Sequence, residues 1–167
     1  MFTRANAIFL SILLIFFVLQ EGFLNQFHLV GGGFSLFFIL IFVWSAISTQ
    51  ESALMSGFIA GFLLDLAQGS DAPVGLWTLI MVLTCYLVSY FSYGDAAPIS
   101  IVAIVTVANF AAQILFLAIG ALLGIQVGDL GEVLITLIGT SVWTLVVTPI
   151  FLPLFTRLHN FIMKARV

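Results

Sequence analysis

The stretch SGFIAGFLLDLAQGSDAPVG, residues 56–75, decides how the rest of the chain is read. Gly57, Gly61 and Asp65 follow one another at four-residue steps. On an α-helix each such step turns about 400°, so the three drift by about 40° per step and share one face over roughly 12 Å. Ala53 extends the stripe by one step. Glycines at this spacing let a second helix approach until backbones touch, and such packing drives association where no hydrophobic effect operates between helices. The stripe therefore packs its helix inside its own bundle or offers a groove to a partner protein. Asp65 needs a donor or water near the end of an apolar helix. The loop AQGSDAPVG offers backbone N–H groups for a cap; a partner's cation and a ligand or proton site are the other uses.

The composition says what surrounds this stretch. The chain has 167 residues, 63% hydrophobic and 7% charged, with a mean hydropathy of +1.31. A water-soluble domain carries roughly a quarter charged residues, so eleven formal charges do not solvate a globule of this length. Lipid is the expected solvent, around a single membrane domain covering residues 1–167. Arg4 and the apolar run 7–19 have the look of a signal peptide, but QEGFLNQF after them offers no small-x-small cleavage site, so the run reads as a retained first helix. One cysteine, Cys85, allows no intrachain disulfide.

A spanning helix needs about 20 mostly apolar residues. The pattern predicts an all-α, polytopic bundle of six transmembrane helices at about 5–20, 34–47, 52–66, 76–93, 98–120 and 132–155. The second and third are short, so they form a tight hairpin through a thinned bilayer or one is re-entrant. All four basic residues, Arg4, Arg157, Lys164 and Arg166, lie near the two ends. Basic residues favour the cytoplasmic side, so both termini are expected there, which six crossings satisfy. Glu21, Asp71, Asp129 and Glu132 then face outward, and Glu51 and Asp95 lie in inner turns. The basic, amphipathic tail 156–167 suits the anionic inner leaflet, and GGG at 31–33 makes 21–33 an external loop or half-helix.

Polar side chains inside the apolar runs point into the bundle. Thr106, Asn109 and Gln113 share one face of the fifth helix, and amides in hydrocarbon need partners. Thr136, Thr140, Thr144 and Thr148 share a face of the sixth, where each hydroxyl can bond its own helix's carbonyl. Asn109, Gln113, Thr140 and Thr144 thus mark an intramembrane polar face: a plain packing seam or a small polar pocket. GALLGIQVG, 120–128, repeats the glycine spacing, as a second contact groove or as exit-loop backbone, and Pro149 and Pro153 are expected to bend the last helix. His28 and His159 have no second histidine at metal-ligand spacing, and no HExxH, GxSxG or phosphate-binding glycine loop occurs. An enzyme, a metal, a cofactor and a nucleic-acid partner are all unexpected.

The segment SGFIAGFLLDLAQGSDAPVGLWTLIMVLTCYLVSYF resembles the signature region of the rod shape-determining protein MreD family. The residues that carry the resemblance are Gly57, Gly61, Asp65, Leu66, Gly69, Pro73, Gly75, Leu76 and Tyr86. The overall length, six helices, basic tail and TPIFLPLF near the end are also similar. FSYGDAAP departs from the family in lacking a basic residue after the helix-four tyrosine. The resemblance implies a non-enzymatic scaffold in the bacterial inner membrane, needed for rod shape and in contact with lipid. It also implies binding to MreC and, through it, to the MreB cytoskeleton, RodA and its transpeptidase in peptidoglycan synthesis. Gly57, Gly61, Asp65 and Gly75 are the candidate partner-binding or helix-packing residues. The family's fold is similar to that of the substrate-binding S-components of energy-coupling-factor vitamin transporters, which makes an S-component the rival. Against it, NAIFLSILLIF lacks the Ala-x-x-x-Ala docking pattern, and the external loops are poor in polar and aromatic side chains.

Overall fold

The computed structural model describes residues 4–22, 33–67, 73–92, 97–125 and 128–164. They form helices α1 (Arg4–Gly22), α2 (Leu36–Ile47), α3 (Gln50–Ala67), α4 (Leu76–Phe91), α5 (Pro98–Leu122) and α6 (Leu130–Lys164). The architecture is an all-α six-helix bundle, and α5 and α6 are long and apolar enough to cross a membrane.

The short helix α2 sits at the centre. Its sequence LFFILIFVWSAI is apolar all round, and a helix of that kind is stable only when covered on every side. Phe37 and every residue from Ile39 to Ala46 are buried, and α2 packs against all five other helices. It starts cleanly because the Ser35 side chain accepts from the Phe38 backbone N–H at 3.2 Å, an N-cap. Twelve residues rise only about 18 Å, short of a 30 Å hydrocarbon layer.

Successive helices alternate in direction around α2. At one end Leu36 N–H donates to Gln20 Oε1 at 2.9 Å, Phe38 lies against Trp77 and Phe34 against Trp143. At the other, Phe9 stacks on Trp44 and the Ser89 hydroxyl donates to the Ser48 carbonyl. His159 Nε2 lies 3.2 Å from Ser48 Oγ at this second end.

One expectation changes and two are narrowed. α2 and α3 pack on one another across the short link Ser48–Thr49, as in the expected hairpin, and α2 is in addition the core of the bundle, with α3 and α4 paired outside it. The tail does not lie apart on a surface. α6 runs unbroken through Pro149 and Pro153 to Lys164, because Phe155, Leu158 and Ile162 continue its apolar stripe. Ile162 is buried with Trp44, and Leu158 and Phe9 pack against the pair. Of the two readings of the glycines at 120–128, the described ones show backbone where α5 ends and not a contact groove. Ile125 N–H donates to the Gly120 carbonyl and Gly124 N–H to that of Ala121, while Gly124 has a φ of 84° and Ile125 lies over Gly120. This is a Schellman stop for α5, which needs glycine at the left-handed position. The external segment 23–32, with His28, lies outside the described residues, as do Gly69, Asp71 and Asp95.

Candidate functional site

The glycine stripe faces α4. A Cβ on Gly57 would stand 2.8 Å from the Met81 carbonyl oxygen and 3.0 Å from Cys85 Cβ, and one on Gly61 would stand 2.7 Å from the Trp77 carbonyl oxygen. Neither position has room for a methyl group. The two helices therefore touch backbone to backbone, antiparallel, with Gly57 opposite the middle of α4 and Gly61 opposite its first turn. The stripe is filled within the chain and leaves no groove there for a partner.

That approach brings Asp65 to the start of α4. Gly75 occupies the N-cap position with φ 103° and supplies no side-chain cap, so the first N–H groups of α4 need an acceptor from elsewhere. Asp65 Oδ1 accepts from Trp77 N–H at 3.0 Å. Its Oδ2 accepts from Thr78 N–H at 3.0 Å and from the Thr78 hydroxyl at 2.5 Å. Both oxygens of a buried carboxylate are thus spent on a neighbouring helix, at the end where the helix dipole favours negative charge. The sequence reading put this cap on the loop after Asp65; the structure puts it on α4. A Cβ on Gly75 would meet no described atom within 4 Å. Its part is the left-handed turn that lets the chain enter α4.

The polar face divides. Thr140 Oγ1 donates to Gln113 Oε1 at 3.0 Å and ties α6 to α5. Thr144 and Thr148 donate to carbonyls four residues back, at 2.7 and 2.6 Å, and Thr106 does likewise on α5. Asn109 is buried, and its Nδ2 has no hydrogen-bond partner among the described residues. Gln113 and Thr140 are brought together; Asn109 and Thr144 are not hydrogen-bonded to one another.

Trp77 is the residue that sequence reasoning missed. Its backbone is held by Asp65, its ring stacks on Phe116 of α5 at 4.5 Å, and its Nε1 is buried without a partner among the described residues. It joins the capped α3–α4 pair to the α5–α6 seam. The signal was its place at the second position of a helix whose N-cap is glycine. Among the described residues no three His, Cys, Asp or Glu side chains gather to hold a metal ion. Compared with protein-family models, curated proteins and solved structures, the chain finds no match.

Proposed function

We propose that this chain is a non-enzymatic, multi-pass scaffold of the bacterial inner membrane, similar to MreD, which binds MreC and so connects MreB, RodA and its transpeptidase to wall synthesis during elongation. The observation that carries the reading is that the residues of the MreD-like segment act as one unit. Gly57 and Gly61 admit α4, Asp65 caps it, and Gly75 turns the chain into it.

The bundle's surface supports a membrane setting. In the most apolar windows of α5 and α6 only 28% and 22% of the residues are buried. A core helix of a soluble protein hides its apolar side chains; these helices turn theirs outward, and lipid is the solvent that tolerates it. α4 and α5 carry no charged residue. With six alternating helices both ends of the chain lie on one side, and the terminal basic residues make that side cytoplasmic. Because α4 fills the glycine stripe, MreC binds through another surface.

Deleting the gene in its rod-shaped host tests the reading. The expected result is round cells, dispersed MreC-linked wall synthesis and recovery of both by the wild-type gene, with MreC co-purifying in mild detergent. Rods that keep their shape, with no MreC in the purified material, overturn it. Normal shape with failed vitamin uptake moves the chain to the S-component class.

A further inference from the structure

We draw no further inference here: the strongest candidate, the apolar groove of about 470 Å³ between α4 and α5, lined by Leu87, Phe91, Ile104, Val107 and Ala111 among others, carries none, because nothing in the structure shows what covers it.

Discussion

Asp65 shows how one side chain fixes a helix pair. Its two oxygens accept three hydrogen bonds from Trp77 and Thr78, and the first turn of α4 has no other side-chain cap. Asp65→Leu removes every acceptor, and about 2 to 3 kcal/mol of stability should go with them, since orphaned buried donors cost roughly 1 to 3 kcal/mol each before relaxation. Asp65→Asn is not the near-neutral change that a simple loop cap would give. It keeps one oxygen and turns an NH₂ toward groups that donate, so a loss of about 1 kcal/mol is expected. Thermal unfolding in detergent should rank wild type above Asn above Leu; a Leu variant as stable as wild type would show that the cap contributes nothing. Asn109 runs the opposite way. Its Nδ2 is buried and unpaired among the described residues, so Asn109→Leu, close in size, should leave stability unchanged or raise it by up to about 1 kcal/mol. A clear loss on the same unfolding curve would mean that the amide has a partner after all.

At the scale of elements, the α3–α4 contact depends on the absence of two Cβ atoms. In an open helix Gly→Ala gains up to about 1 kcal/mol from helix propensity. Here the added methyl meets backbone: the Trp77 carbonyl and Thr78 for Gly61, the Met81 carbonyl for Gly57. Overpacking of this kind costs about 1 to 3 kcal/mol, so both Ala variants should melt below wild type. Gly61→Ala should fall further, because two of the three atoms nearest a Cβ on Gly57 belong to the Cys85 side chain, whereas Gly61 has only backbone. Gly22, where an added Cβ would meet no described atom within 4 Å, is the control, and Gly22→Ala should not destabilise. If all three variants unfold alike, the stripe is not a contact. The spacing Gly57–Gly61–Asp65 made this face legible in the sequence, because period and residue size act locally. The recipient of Asp65 was not legible, since it depends on which helix lies opposite. The glycine at the N-cap of α4 was the available hint. The centrality of α2 was readable from a helix with no polar face, and the continuation of α6 from Phe155, Leu158 and Ile162. For α6 the basic residues Arg157, Lys164 and Arg166 pointed elsewhere, to a surface tail. Gly120 and Gly124 were ambiguous because four-residue glycine spacing serves both a packing groove and a Schellman stop. The apolar Ile125 after Gly124 separates the two.

For the molecule as a whole, the proposed membrane placement asks how six alternating helices of unequal length would sit in one bilayer. α2 is too short to cross alone, yet its ends reach both ends of the bundle: Gln20 and Trp77 at one, Ser89 and His159 at the other. Its neighbours cover it, so it needs no contact with lipid, and its length is no bar to an arrangement with six passes. Glu51, at the start of α3, and Asp129, just before α6, are both exposed and lie at opposite ends. The background for thiol labelling is favourable, because Cys85 is the sole cysteine of the chain and is buried against α3. Wild-type protein in intact cells should therefore take up almost no membrane-impermeant maleimide. Glu51→Cys should react only after the cytoplasmic face is opened, and Asp129→Cys should react in intact cells. The assignment of sides rests on the basic residues at the chain ends, while the opposition of the two sites rests on the alternation of helices, so the two arguments fail separately. Reaction with the sides exchanged would invert the molecule and leave the bundle standing. Reaction of both sites from the same side would remove the alternation across the membrane, and with it the placement of α2 at the centre of a membrane-spanning bundle.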